Sequence, residues 1–517
     1  MVRRDKMSGI FKVTIIVLIA LTFLLVIGYS IVAPQGSKFL YTTKVIRNVA
    51  NTLTIIFIIT VIILENKSPI KALAWMLALI SIPVGGIFLY LFFGRNYHKR
   101  KMYNLKELTD NKEILALYES ELHISDAGMK YLTEPFQVLT AKLLFNNSKA
   151  FLSTDNKVEV YKDGVETFKS IFEQLEKAKY HIHLEYFAVG HDGIGNTLKK
   201  VLIQKASEGV KVRFIIDYVG SLRLKKSYRK ELKDAGVELV EFAPTVFQFV
   251  NSSLNYRNHR KIIVIDGEVG FVGGLNIGDS YVGKNKHFGY WRDSHLMLHG
   301  EAVKSLQAIF LTDWNFVTGE LLLEMEYFPP TSIVNYNPMQ IVASGPDADW
   351  SSIMQVYFSM IAGARHSIQI SSPYLVLDES LQMGIKTAAL SGVDVKIIIP
   401  GMADHQIVYW GTQSYIEDLL EAGVKIYRYT QGFIHAKVLV ADGVCASVGT
   451  ANMDIRSFNH NFEVNALLYG EETIKTLMTQ FEQDLKDSEE IILEEFKKRG
   501  TIVRMRESIC RLFSPLL

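Results

Sequence analysis

Cysteine is nearly absent: Cys445 and Cys510 are the only two in 517 residues. One lies inside a predicted strand and one near the end, which excludes a disulfide framework and a Cys-rich zinc site; both are expected to be packed thiols. A charge excess of either sign is also missing, since 56 Lys and Arg stand against 54 Asp and Glu. Without a basic surplus, neutralisation of a phosphate backbone is not the dominant binding force, so a nucleic-acid partner is disfavoured. No Asp, Glu and His cluster at metal spacing appears either. "HIH" places His181 and His183 on one strand face, but with no third ligand in view a packed or solvated pair is the expectation.

Apolar residues are plentiful, at 49% of the chain, and the excess sits at the N-terminus. Val13 to Ala33 is a 21-residue run without a charge, the length needed to cross the hydrocarbon core. It exceeds the apolar region of a cleavable signal, so it is expected to be retained. A second run, Val49 to Leu64, is flanked by Arg47 and Lys67, whose side chains can snorkel and extend the span. The expected spans are therefore about 13–33 and 45–64. A third apolar segment, 72–93, is interrupted by Pro83, Gly85 and Gly86 and is expected to be kinked, interfacial or re-entrant rather than a straight crossing. Arg3, Arg4, Lys6 and Lys12 share a side with Lys67, Lys71, Arg95, Lys99, Arg100 and Lys101, which places the long C-terminal part in the cytoplasm of a multi-pass cell-membrane protein.

After a polar connector at 101–135, one pattern occurs twice. "HIHLEYF" at 181–187, a helical "GNTLKKVLIQKASEGV" and a buried "KVRFIID" at 211–217 correspond to "SIQISSPYL" at 367–375, "SLQMGIKTAALSGV" and "DVKIIIP" at 394–400. Strands alternating with helices in this way predict an α/β fold: two pseudo-twofold-related lobes with covered, largely mixed sheets. The first lobe is expected at 136–327 and the second at 341–500, joined by a linker at 328–340 rich in proline. An amphipathic segment at 501–517 follows, where Arg504, Arg506 and Arg511 mix with Ile502, Val503, Ile509, Leu512 and Phe513. It reads equally as an interfacial helix drawn to anionic lipid or as a packed C-terminal helix with solvated arginines.

Each copy also carries "His, one residue, Lys, four residues, Asp", then a small-residue turn ending in Asn. The positions are His259, Lys261, Asp266 and Asn276, and again His435, Lys437, Asp442 and Asn452, at a constant offset of 176. One such motif is a weak signal; its exact-offset repetition is a strong one. In a strand, positions i and i+2 share a face, so each His and Lys are expected on one surface. A phosphodiester needs a nucleophile, an acid for the leaving oxygen, and donors around the remaining oxygens. Two His, two Lys and two Asn supply these roles without a metal when the copies pack together. Each imidazole then needs a carboxylate to fix its tautomer. Glu463 lies 28 residues after His435, and Asp293 takes the comparable place after His259. Asp266 and Asp442, although part of the repeated catalytic motif, sit at strand ends before Gly and look structural, tying the halves by ion pairs.

The paired HxKx4D motifs resemble those of the phospholipase D superfamily. "ENKSPIKALAWMLALISIPVGGIFLYLFFGRN", "NYRNHRKIIVIDGEVGFVGGLNIGDSY", "WRDSHLMLHG", "IHAKVLVADGVCASVGTANMDIRSFNHNFEVNA" and "RLFSPLL" are similar to bacterial cardiolipin synthases. The resemblance implies transfer of a phosphatidyl group from one phosphatidylglycerol to another through a phosphohistidine, with no cofactor. It implies that one of His259 and His435 attacks phosphorus while the other handles the leaving and incoming oxygens, with His259 the favoured nucleophile. Lys261, Lys437, Asn276 and Asn452 would bind the phosphoryl oxygens. The motifs alone do not order the two histidines. Hydrolytic phospholipase D, transfer to another alcohol, a nuclease and a non-enzymatic membrane scaffold are the rival readings.

Overall fold

The computed structural model describes Pro69–Ser81, 132–242, 256–348 and 350–514, with isolated residues between 52 and 59 and at 129. Two compact units are present: Met1–Arg100 with Phe247–Ser252, and Lys101–Val246 with Ser253–Leu517. In the first, α1 (Pro69–Ser81) begins on a proline, whose missing N–H costs nothing at a helix start. Its 13 residues reach about 20 Å at a rise of about 1.5 Å each, short of a hydrocarbon core of about 30 Å. Among the described residues no helix is long and apolar enough to cross a membrane. The span expected at 13–33, all but isolated residues of the one at 45–64, the stretch 82–93 and nearly all of the connector lie outside the described residues.

The second unit opens with α2 (Pro135–Ser148), then folds as two α/β lobes. The first comprises β1 (Ser153–Asp163), α3 (Gly164–Lys177), β2 (His181–Tyr186), α4 (Gly193–Ser207), β3 (Lys211–Asp217), α5 (Lys226–Asp234), β4 (Glu238–Phe242), β5 (Arg257–Asn258), β6 (Lys261–Ile265), β7 (Val269–Gly273), β8 (Tyr290–Gly300) and α6 (Glu301–Thr318). Next come β9 (Tyr336–Ser344), α7 (Ser352–Gly363), β10 (Ser367–Ser371), β11 (Leu375–Val376), α8 (Glu379–Leu390), β12 (Asp394–Pro400), α9 (Gln406–Glu421) and β13 (Lys425–Tyr429). The lobe ends with β14 (Gly432–Ile434), β15 (Val438–Ala441), β16 (Cys445–Gly449), β17 (Met453–Asp454), α10 (Ile455–Asn459), β18 (Asn461–Leu468), α11 (Glu471–Lys486) and β19 (Ser488–Glu490). Two helices close the chain, α12 (Leu493–Phe496) and α13 (Thr501–Leu512).

The duplication seen in the sequence is a duplication of sheets. One runs β4-β3-β2-β6-β7-β8-β1 and the other β13-β12-β10-β15-β16-β18-β9, and in each the first three strands are parallel and the rest antiparallel. β1 bonds to both β8 and β9, joining the sheets. Strands such as "KVRFIID" and "DVKIIIP" are apolar almost throughout because both sheet faces are covered. Alternation sorts their neighbours. Ile262, Val264 and Val272 meet Val438, Val440 and Val448 between the sheets, whereas Ile263, Ile265 and Phe271 pack on the helix-covered side. Turn chemistry repeats as well: Gly209 and Gly392 hold φ of 91° and 93° after α4 and α8, a left-handed helix end that glycine adopts without a Cβ clash.

Two boundaries differ from the sequence expectation. α2 lies within the stretch assigned to the first lobe, yet Ala141 and Leu144 pack with Val356 and Met360 in the second lobe's core. The linker is shorter than expected, because β9 already begins at Tyr336 and completes the second sheet.

Candidate functional site

The two motif regions meet where the lobes exchange strands. β5, just before His259, runs parallel to β18 of the other lobe, and β14, just before His435, runs parallel to β8. The backbone N–H of His259 donates to Phe462 O at 2.9 Å, and that of His435 to Arg292 O at 2.7 Å. The residues that follow those acceptors are Glu463 and Asp293. Each histidine is thereby carried alongside the acid of the opposite lobe.

The carboxylate pairing accordingly crosses. Glu463 lies with both oxygens 2.9 Å from His259 Nδ1, and Asp293 Oδ2 lies 2.8 Å from His435 Nδ1. In sequence each acid follows the histidine of its own copy; in the fold it serves the other. Both acids are fully buried. Burial alone would raise Glu463, but His259 and Lys261 outweigh it and hold the carboxyl below its usual range. Asp293 is likewise lowered, with Lys437 and His435 overcoming burial. Two ionised acceptors therefore fix Nδ1–H on both rings, which directs each Nε2 away from its acid.

The expectation that each His and Lys lie in one strand needs correction. His259 precedes β6, which starts at Lys261, and both His435 and Lys437 precede β15. The break lets the backbone leave one sheet and bond to the other. Lys261 Nζ donates to His259 O at 2.7 Å, while Lys437 Nζ sits 3.2 Å from His435 Nε2. It also approaches Nδ1, at 2.8 Å, but that nitrogen's single in-plane position is filled by the hydrogen shared with Asp293. Burial depresses His435 to about 4, with Lys437 adding to the effect. His259 is lowered by burial too, against the pull of Glu463. Both lysines are drawn down by burial, Lys261 to about 7 and Lys437 to about 8. The site thus gathers two lysines and two imidazoles whose charged forms burial disfavours, and an anion placed among them would favour those forms.

Asp266 and Asp442 do not tie the lobes by ion pairs. They sit at the far end of the strands, at φ of 53° and 52°. Asp266 accepts from the N–H groups of Lys179, Tyr180 and His181 at 2.8 Å each. Asp442 does the same for Arg365, His366 and Ser367. Each carboxylate anchors the start of the neighbouring strand within its own lobe. The lobes are instead linked by Arg292, which pairs with Asp484 on α11 at 2.8 Å.

Asn276 and Asn452 are buried beside the motifs but differ. Asn276 is engaged, accepting from Ala188 N and donating to Tyr281 Oη at 3.2 Å each. Asn452 Oδ1 is buried and has no hydrogen-bond partner among the described residues. The pair His181 and His183 is packed: both rings contact Gln307, and His183 stacks on Phe310. The two cysteines are free and buried.

Sequence reasoning missed the residues that seat the acids. The turns "GGLN" and "GTAN" differ at equivalent positions, Gly274 and Thr450. A Cβ on Gly274 would stand 2.0 Å from Asp293 Oδ1, whereas the Thr450 hydroxyl donates to Glu463 Oε2 at 2.6 Å. A bare position thus leaves room for Asp293, and a hydroxyl holds Glu463. Asn461 Nδ2 donates to Glu463 Oε1 at 3.1 Å, and Arg260, ion-paired to Asp313, donates from Nε to Glu463 O at 3.2 Å. Aromatic rings close the sides: Phe187 lies 5.1 Å from His259, and Trp291 lies 5.2 Å from His435.

Two lobes contributing one His and Lys pair each to a shared, carboxylate-oriented centre make up the layout of the phospholipase D superfamily. Comparison with known proteins narrows the class. The family described as "Cardiolipin synthase, PLD-like domain" matches residues 171–314 and 357–485, and "Phospholipase_D-nuclease N-terminal" matches 52–95. The chain is 49% identical over 467 residues to a cardiolipin synthase of Geobacillus kaustophilus, covering 90% of this chain and 92% of that protein. It is 46% identical over 459 residues to cardiolipin synthase 2 of Bacillus anthracis, covering 88% and 89%. A solved structure of phosphatidylserine synthase from Haemophilus influenzae shares the fold, with a TM-score of 0.56 at 15% identity over 73% of this chain and 99% of that one. The chain belongs to the cardiolipin synthase family.

Proposed function

We propose that this protein makes cardiolipin, moving a phosphatidyl group from one phosphatidylglycerol to the terminal hydroxyl of another and releasing glycerol. The observation that carries the reading is the pair of imidazoles whose Nδ1 atoms are each tied to a buried carboxylate of the opposite lobe. His259 Nε2 attacks phosphorus, and the P–O bond to the departing glycerol breaks as that oxygen takes a proton from His435. His435 then removes the proton of the incoming hydroxyl, whose oxygen displaces His259 from the phosphohistidine. Burial keeps His435 neutral in the free protein; the anionic phosphodiester brings the negative charge that raises it and draws off the Lys437 ammonium. Lys261 and Lys437 neutralise the non-bridging oxygens. Asn276 frames that pocket through Tyr281, and the open Asn452 Oδ1 accepts from a substrate hydroxyl.

The lipid substrate fits a cell-membrane protein, with 1–100 as a multi-pass anchor and the catalytic lobes cytoplasmic. A site held at the bilayer keeps a second lipid's hydroxyl at high local concentration, which favours transfer over attack by water. Purified protein given phosphatidylglycerol labelled in its headgroup is expected to yield cardiolipin and free glycerol in equal amounts, with either His259→Ala or His435→Ala abolishing both products. Phosphatidic acid as the main product would replace this reading with hydrolysis, and products unaffected by both substitutions would assign the activity elsewhere.

A further inference from the structure

The C-terminal helix presents an apolar stripe to solvent. In α13 and the residue after it, Ile502, Met505, Ile509, Leu512 and Phe513 are 71%, 57%, 48%, 79% and 49% exposed. At about 100° per residue these five fall within about 100° of arc. The opposite side holds the helix down. Glu507 is buried and pairs with Arg499 at 3.1 Å, Cys510 is buried, and Ser514 meets Tyr415 Oη of α9 at 3.1 Å.

Basic side chains surround the stripe. Residues 497–517 contain six Lys and Arg against the single acid Glu507. Glu417, Asp418 and Glu421 of α9 meet part of that charge, pairing with Arg499, Arg504, Arg511 and Lys497. Arg506 lies 5.0 Å over the Trp410 ring instead. α9, the helix that carries α13, is capped at its N-terminus by His405, next to Asp404, whose charge acts on both His435 and Lys437. Its first turn adds another exposed apolar residue, Ile407.

We propose that this stripe lies in the surface of an anionic bilayer, with the apolar side chains among the upper acyl carbons and the arginines at lipid phosphates. An amphipathic helix of this kind sinks about 5–10 Å into the headgroup and acyl boundary. Docked so, α13 holds α9, and with it one rim of the catalytic site, at the lipid surface. The inference stands whether the chain makes cardiolipin or acts on another substrate.

The test uses the full chain reconstituted in vesicles, with an environment-sensitive dye on Leu512→Cys, on Ile502→Cys, or on Thr387→Cys, an exposed position on α8 of the same lobe. Vesicles contain phosphatidylglycerol with phosphatidylcholine, or phosphatidylcholine alone, plus lipids brominated at shallow or deep acyl carbons. At 502 and 512 the emission is expected to shift to the blue and lose at least about half its intensity to the shallow bromines. That quenching should need the anionic lipid and weaken as salt is raised, and 387 should show none of it. Unquenched, unshifted emission at 502 and 512 overturns the proposal. So does a blue shift without lipid quenching, which would mean the stripe packs on residues 1–100 or, if it grows with protein density, on a second copy.

Discussion

Replacing Glu463 by Gln removes one charge and no volume, from a position that is completely buried. The carboxylate now takes His259 Nδ1–H on both oxygens at 2.9 Å, with Thr450 and Asn461 supplying two further donors. In the variant the amide NH2 must face one of these groups, so it either selects the wrong imidazole tautomer or turns Thr450 away. Removing one partner of a buried ion pair costs about 3–5 kcal/mol. At about 1.36 kcal/mol per tenfold of rate, kcat should fall by about 10²- to 10⁴-fold if the imidazolium-like transition state bears the loss. Lys261 reports independently. Burial pulls it to about 7, and Glu463 is the largest opposing charge; without that charge its ammonium titrates lower, and the basic limb of the rate profile moves to lower pH. Cardiolipin formation measured across pH, beside a thermal melt, reads both effects. Thr450→Val, which removes only the donor to Glu463, is expected to cost about 1 kcal/mol, or about fivefold in rate. A Glu463→Gln protein that melts normally, works within about threefold of the parent and keeps its basic limb would refute the assignment of Glu463 to His259.

Two further outcomes follow from the same geometry. Gly274→Ala puts a methyl 2.0 Å from Asp293 Oδ1, so Asp293 must leave His435, and kcat should drop by at least about 100-fold while circular dichroism stays unchanged; an active variant would show that Asp293 is dispensable. His181, His295 and His435 are each depressed by burial to about 4. The unfolded chain takes up these protons first, so their stabilisation is complete above about pH 6.5 and is lost as pH falls from there toward 4. Stability should decline across that window by up to about 1.4 kcal/mol per pH unit for each group, read as a falling melting temperature, and a flat profile between pH 6.5 and 4.5 would contradict the burial of these rings in neutral form.

The elements of the lobes are written locally, and that is why they could be read. "KVRFIID" and "DVKIIIP" are strands because an unbroken apolar run is what a sheet covered on both faces requires, and the structure has them at the same residues. "SLQMGIKTAALSGV" ends as a helix where Gly392 turns left-handed. The histidine pairs were harder. Period-two alternation put His259 and Lys261 in one strand, but the strand is broken there so that the backbone can bond to the other lobe, and no local pattern records a bond made 200 residues away. The small differences between the turns did carry information. Gly274 goes with the short Asp293, and Thr450 with the longer Glu463, a correlation that becomes meaningful only once the two are known to touch.

By itself the sequence determined that there are two copies and that each carries one His and Lys pair, because residue types, spacing and a fixed offset are properties of the chain. Which carboxylate serves which histidine was decided only by the tertiary structure. The exchange of β5 and β14 between lobes carries Glu463 to His259 and Asp293 to His435. The same folding turned Asp266 and Asp442 from apparent members of the site into anchors for backbone N–H groups. A carboxylate acts on whatever lies within about 3 Å of it, and that neighbourhood exists only after the lobes have packed.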